Sequence, residues 1–295
     1  MFGTLRGRAA EGVGSIIPYQ GPDPATGWEG GRRYRAAMPE GDTIHNTAAR
    51  LRPALEGAVL LGFEARRMRA HRPRPGWRIE SVQAVGKHLM IRFERDLVLH
   101  THMQMTGSWH LYATGERWRK PAHLSRAVLA VEGWQAVCFS APVVETFVIG
   151  HDPDPTAHLG PDLCGADPDL DLAVDRFALV DEGTQIGPAL VDQRIAAGIG
   201  NVYKSETLFA CGLDPFVPVA EVGSEQRRQL LEAAHRQLRM NLGRNDRQTV
   251  PGGLAVYGRA NRPCRVCGVG IRVDRQGDQS RTTYWCPRCQ ISRSP

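Results

Sequence analysis

Four of the seven cysteines in this 295-residue chain fall in its last 32 positions, as Cys264-x2-Cys267-x18-Cys286-x2-Cys289. Paired Cys-x2-Cys knuckles at this separation supply four thiolates to one tetrahedral ion, the donor set of a structural zinc site. All four positions are then protein ligands, so one zinc is expected to build structure and to do no chemistry. Its binding contributes roughly 10–16 kcal/mol of apparent stabilisation, without which so short a segment could hardly fold. Between the knuckles, Ile271–Asp274 and Arg281–Trp285 flank Gly277 and read as a β-hairpin with Arg281 near its far end. An arginine on a zinc-held hairpin suits a nucleic-acid groove. A redox pair or two disulfides is the competing use of these thiols, and a reducing compartment disfavours it. Cys138, Cys164 and Cys211 are solitary and read as small buried apolar residues.

The length accommodates about two domains of ~100–200 residues each. No apolar run approaches the ~18–20 residues of a membrane span, and no apolar block follows the N-terminal arginines. A cytoplasmic protein is the expectation. The formal charge is +6, and it is unevenly spread. From Arg259 onward eight arginines face two aspartates, and residues 1–37 hold five arginines against three acids. By difference, residues 38–258 carry about −2, which excludes a general basic coat and focuses positive charge at the C-terminus.

Residues 1–37 are rich in Gly, Pro and Arg without apolar periodicity, and are expected to be a disordered or mis-assigned extension. Beyond them Asp42 can cap a helix whose Ile44, Ala48, Leu51 and Leu55 recur at helical spacing, with Pro53 and Gly57 closing it. Short β-rich stretches follow at 59–63, 79–85, 89–93, 97–100, 127–131, 136–139 and 143–149, which predict a sandwich or barrel with the helix packed on it. The Asp-, Pro- and Gly-dense segment 151–175 reads as an interdomain linker. The remainder turns helical: a short run from Leu179, helices at 188–195 and 201–211, and a longer one from a Ser224 cap to about Leu242. Between two of these helices Gly198, Gly200 and Asn201 form a turn. Glycines let a backbone approach a ligand, and free amides at a helix N-terminus favour phosphate, with Asn201 and Lys204 as further donors. An ordinary helix hairpin with a Gly-rich corner fits this stretch equally well.

Taken in order, Met38-Pro-Glu-Gly-Asp-Thr43, Gly86-Lys-His-Leu89, His102-Met-Gln-Met-Thr-Gly107, the Gly198–Asn201 turn, Tyr257-Gly-Arg259 and the cysteine hairpin resemble the bifunctional DNA glycosylases, the formamidopyrimidine-DNA glycosylase/endonuclease VIII family. The resemblance covers 38–295. It implies an α+β protein: a catalytic β-sandwich over 38–150 with a packed N-terminal helix, the linker 151–175, a helix-two-turn-helix domain over 176–250, and a zinc finger over 251–295. The implied activity is base excision repair, in which the base is removed through a Schiff base and the strand cut by β,δ-elimination.

By the same resemblance Pro39 is the nucleophile, Glu40 the acid/base group and Lys87 a strand lysine beside the target nucleotide. A free N-terminal proline suits this chemistry, because its secondary amine has a pKa near 7.7–8.0. Inside a chain begun at Met1 the same nitrogen is a tertiary amide and cannot react, so the functional protein is expected to begin at Pro39. A non-catalytic binder of damaged or abasic DNA with the same fold is the alternative.

Residues 39–43 read Pro-Glu-Gly-Asp-Thr where the formamidopyrimidine branch has Pro-Glu-Leu-Pro-Glu, and 141–147 lack that branch's Arg-Arg-Phe-Gly wedge. Both departures resemble endonuclease VIII and imply oxidised pyrimidines as substrates. Gln104, Met105 and Thr106 match the loop that fills the hole left by a flipped base. Arg259 and Arg281 join Asn201 and Lys204 as implied DNA contacts. The histidines His45, His88, His100, His102 and His110 are read as structural. The expected partner is double-stranded DNA carrying oxidised bases or abasic sites, with single-stranded DNA left open. The expected protein is a monomer, nucleoid-associated when bound to DNA.

Overall fold

The computed structural model describes residues 39–68 and 71–291; the expected extension 1–37 lies outside them. Helix α1 spans Gly41–Leu55 and buries Ile44, Ala48, Leu51 and Leu55, the stripe its spacing predicts. Two differences separate the helix from its sequence reading. Its N-cap is Glu40 instead of Asp42, and Pro53 lies inside the last turn instead of ending it. A proline costs a helix the bond from its own nitrogen, and here only Ala54 and Leu55 remain beyond it.

Two four-stranded antiparallel sheets follow, and α1 packs against them. The first has the order β1 (Gly62–Glu64), β6 (Ser125–Val131), β7 (Trp134–Phe139), β5 (Ser108–Ala113). The second has the order β2 (Ile79–Val85), β3 (His88–Phe93), β4 (Leu97–His102), β8 (Val143–Val148). Leu89, Ile91 and Phe93 of β3 alternate inward with Leu129, Val131 and Cys138 into one core. Strand β5 has no counterpart in the sequence reading. Its Ser-Trp-His-Leu-Tyr-Ala directly follows the 102–107 loop, and its two inward residues, Trp109 and Tyr112, do not alternate. Pairing with β7 decides its conformation.

The segment read as a linker is partly helical: α2 covers Leu170–Asp175, capped by Asp169, whose carboxylate accepts from Leu172 N at 2.9 Å. Then come α3 (Ile186–Leu190), shorter than the 188–195 expected, α4 (Asn201–Ala210) and α5 (Ser224–Met240). Their shared core includes Phe177, Leu190, Tyr203, Leu208, Leu231 and Leu238. The chain ends in the hairpin β9 (Arg272–Gln276) and β10 (Arg281–Trp285), with Arg281 opposite Gln276 at the turn end. The architecture is α+β: a β-sandwich, a helical region and a cysteine-bearing hairpin. No helix among the described residues is long and apolar enough to cross a membrane.

Candidate functional site

Everything the motifs single out near the chain's start converges on the N-terminus of α4. Glu40 is fully buried, and its carboxylate accepts from the amides of Gly200 (2.9 Å), Val202 (2.8 Å) and Tyr203 (3.3 Å). The first amides of a helix have no partner within it and carry its positive end. The turn is therefore an anion site, but the anion is a side chain of the protein. That corrects the reading of these amides as free for phosphate. Gly200 is required for it, since a Cβ there would sit 2.3 Å from Glu40 Cδ. Gly41 N adds a bond to Gly198 O at 2.9 Å. Pro39, half-buried, lies immediately before this seam.

Asp42 is buried beside it. Arg247 grips its carboxylate with two nitrogens (2.5 and 2.8 Å), and the Tyr203 hydroxyl donates to it at 2.9 Å. The guanidinium also lies 4.9 Å from the Tyr203 ring centroid. Burial works against the Arg247 charge, but Glu40 and Asp42 outweigh it and hold the group firmly protonated.

Lys87 sits on the turn between β2 and β3, not within a strand as the resemblance implied. Gly86 shapes that turn with a φ of +55°, and a Cβ on it would meet Ala197 at 2.7 Å. Asp162 fixes the turn: its Oδ2 accepts from Gly86 N and lies 2.8 Å from His45 Nε2, while its Oδ1 accepts from Cys164 N. Burial opposes the Asp162 charge, yet these bonds keep its carboxyl below the usual range. Burial also pushes the neighbouring Cys164 thiol well up, with help from Asp162. The His45, Asp162 and Cys164 donor atoms lie within 4.8 Å of one another, and the cluster acts as a clamp. Burial lowers the Lys87 ammonium to about 8; Glu40 pulls it back up, and Arg281 and Arg247 add to the depression.

Behind Lys87 runs a histidine chain. Glu145 Oε1 lies 2.9 Å from His100 Nδ1, and His100 Nε2 lies 2.8 Å from His88 Nδ1. His102 stands edge-on to His88, with ring centroids 4.7 Å apart. Burial, aided by neighbouring positive groups, lowers His88 to about 3 and His102 to about 4, so both stay neutral at ordinary pH. The next residues form the expected loop. Gln104 adopts a positive φ of 45°, Met105 is 60% exposed, and Thr106 Oγ1 donates to Ser140 O at 2.9 Å. A Met105 at home in the core would be buried.

The other sequence candidates divide. Arg281 is half-exposed, and among the described residues its guanidinium bonds only the Gln279 side chain, at 2.9 and 2.6 Å. Asn201 is buried, and its amide donates to Thr282 O at 2.6 Å, which ties α4 to the hairpin. Lys204 is buried too, with Nζ 2.7 Å from Thr283 Oγ1, and burial lowers it to about 8. Arg259 donates to the Ala255 and Pro263 carbonyls, so its guanidinium holds the entry to the cysteine module. For Lys204 and Arg259 this corrects the expectation of a DNA-facing side chain.

The sequence reading took Asp42 only as a helix cap and passed over Asp162, Arg247 and Glu206. The last is 1% exposed and accepts from Thr249 Oγ1 and the amides of Ala255, Val256 and Tyr257. Asp42 stands inside the Met38–Thr43 motif and Glu206 inside the helix expected at 201–211, which was the available signal. Arg247 and Asp162 lie in loops with none.

The four finger cysteines have their sulfurs within 4.8 Å of one another, with Cys264–Cys289 at 3.8 Å and Cys267–Cys286 at 3.4 Å. Zinc–sulfur bonds of about 2.3 Å in a tetrahedron put sulfurs about 3.8 Å apart, so the donor set fits zinc. None of the four forms a disulfide.

Known proteins share this arrangement. The formamidopyrimidine-DNA glycosylase N-terminal domain matches residues 38–142, and the formamidopyrimidine-DNA glycosylase H2TH domain matches 159–250. The chain is 42% identical over 265 residues to "Probable endonuclease 8 2" of Streptomyces coelicolor, covering 88% of this chain and 96% of that one. It is 39% identical to "DNA-(apurinic or apyrimidinic site) lyase Nei2" of Mycolicibacterium smegmatis, over 86% of this chain and all of that one. Among solved structures, the MutM (Fpg) protein of Thermus thermophilus superposes with a TM-score of 0.70 at 29% identity, over 85% of this chain and 98% of that one.

Proposed function

The chain belongs to the formamidopyrimidine-DNA glycosylase family, and on that premise we propose that it is a DNA glycosylase with abasic-site lyase activity that removes oxidised pyrimidines. The observation that carries the reading is the Glu40 seam. It fixes the residue after Pro39 to the helix turn, and Glu40, Lys87 and Arg281 share one electrostatic neighbourhood. Pro39 N, once free, attacks the sugar C1′ and the damaged base departs with its bonding pair. The proline nitrogen gives up its proton and the C1′–O4′ bond opens, with O4′ taking a proton, to leave an iminium; this acidifies the 2′ proton, whose loss expels the 3′ phosphate, and a second elimination, with loss of the 4′ proton, releases the 5′ phosphate. Glu40 holds the nucleophile's backbone in place, a job its three amide bonds suit better than proton shuttling.

Lys87 and Arg281 would neutralise phosphates flanking the lesion, with Asn201 bracing the hairpin behind them. Gln104, Met105 and Thr106 would enter the duplex where the base has left. The pyrimidine preference is supported by higher identity to endonuclease 8-named relatives, 42% and 37%, than to formamidopyrimidine-DNA glycosylases at 30–32%. Zinc held by Cys264, Cys267, Cys286 and Cys289 would supply structure alone.

The mechanism needs a free amine at Pro39, and the match to the N-terminal domain beginning at residue 38 supports that start. The competing reading, a non-catalytic binder, draws on one observation: in the 295-residue chain Pro39 N is an amide. Borohydride trapping on duplex DNA with thymine glycol or an abasic site separates them, comparing protein begun at Pro39 with protein begun at Met1. An adduct from the Pro39 form alone is expected; none from either form would overturn the enzyme reading.

A further inference from the structure

The connection from β1 to β2 is the most basic stretch of the sandwich. Residues 65–78 hold six arginines, at 66, 67, 69, 72, 74 and 78, with no acid among them. Since residues 38–258 sum to about −2, the rest of that body is about −8 by difference. So strong a local reversal of sign concentrates potential on one loop.

The loop is a built element. Ala65, Met68 and Pro73 are buried beneath it. Arg72 donates to the Ala65 and Met68 carbonyls at 3.0 and 2.8 Å, and Thr146 Oγ1 donates to His71 O at 2.6 Å. The loop thus runs from edge strand β1 of one sheet to edge strand β8 of the other. Arg78 donates to Gly57 O and adjoins Ile79, the end of β2 remote from the Lys87 turn. Seven strand residues separate the two ends by about 20 Å.

Arg66, Arg67 and Arg74 are exposed, and their side chains make no hydrogen bond or ion pair among the described residues. Glu80 and Asp96, on the following strand and turn, are both paired with Arg92. Three guanidiniums therefore stand on the described flanks of the loop, 65–68 and 71–78, with no acid paired to them among the described residues.

We propose that this ridge is a second DNA-backbone surface, which binds duplex phosphates outside the cleft formed at Pro39 and Lys87. The ridge carries arginine and no lysine, and the guanidinium fork matches phosphate oxygens in pairs. The inference rests on the DNA-repair reading for its partner but not on the chemistry at Pro39.

The test is Arg66→Ser, Arg67→Ser and Arg74→Ser combined in protein begun at Pro39; Arg72 and Arg78, which hold the loop, stay. Binding of undamaged duplex is measured against salt for a short duplex and for one three times as long. Single-turnover cleavage of the short duplex carrying a lesion is measured beside it. For the long duplex, the slope of log affinity against log salt should become shallower by about 2–3, near 0.9 per lost phosphate contact. Cleavage of the short lesion duplex should stay within about twofold, since phosphate contacts outside the cleft act on affinity and not on the reacting sugar. Lysines at the three positions should restore most of the slope.

An unchanged slope on the long duplex overturns the proposal, as does an equal loss on both lengths, which would assign these arginines to the cleft. An unchanged slope together with lost binding of a poly-glutamate probe reassigns the ridge to an acidic protein. Failure of borohydride trapping with the slope effect intact would sink the enzyme reading and leave the surface standing.

Discussion

The cysteine hairpin and the Glu40 seam are opposite solutions to holding polar groups away from water. The hairpin draws its four sulfurs from within 26 consecutive residues and needs only an ion to close. The seam joins Glu40 to amides 160 to 163 positions away and needs most of the chain folded to exist. A local site can be recognised from spacing alone, because the spacing is the geometry. A long-range site gives no such pattern: Glu40 and Gly200 are both conspicuous, but nothing in either motif says that they meet.

The largest effect should come from removing the hairpin's one external component. Cys286→Ser, or chelation, should abolish bound zinc and forfeit the ~10–16 kcal/mol that holds the hairpin. Metal analysis and amide exchange at 272–285 would show it, with sandwich exchange unchanged. Protection of the hairpin without metal would break the contrast.

Gly200→Ala strikes the seam. Its Cβ cannot coexist with Glu40, and overpacking with loss of buried hydrogen bonds should cost about 2–4 kcal/mol. Urea unfolding would report this, borohydride trapping should fall, and zinc content should stay at one ion. Glu206→Gln is the same experiment on the 249–257 segment. It replaces one acceptor oxygen with a donor, for about 1–3 kcal/mol, read as faster exchange at 255–257.

Lys87 offers a pH readout. It holds its proton below about 8 and loses it above, so DNA binding at low salt should weaken as pH rises past that value. Lys87→Arg should remove the decline; an identical decline in both would exclude Lys87 as its source. The smallest effect belongs to Lys204. A lysine depressed to about 8 from 10.5 binds fewer protons folded than unfolded between those values. Stability should therefore rise with pH across that window, and Lys204→Met should flatten the rise.

Much of the fold was legible because its elements keep their periods. The apolar stripe of α1, the alternation of β3 and the hairpin around Gly277 are in the structure where the pattern puts them. The misreadings share a cause. Strand β5 and helix α2 are short and weakly patterned, and neighbours decide them: β7 for one, α5 for the other. The site was legible as positions, not as bonds. Lys204 and Arg259 carry charges that resemble DNA contacts in a sequence. Only packing reveals that Thr283 and two carbonyls already use them. Asp162 sits in a segment whose composition announces a loop and hides a clamp.

The separation between Glu40 and its amides also fixes an order of assembly. During synthesis, Pro39 and the sandwich leave the ribosome well before the turn at 198–203. Until that turn arrives, the Glu40 carboxylate has no amides to bind. On the proposed chemistry at Pro39, a partly made or partly unfolded chain would therefore be kept from cutting DNA by the order of its own assembly.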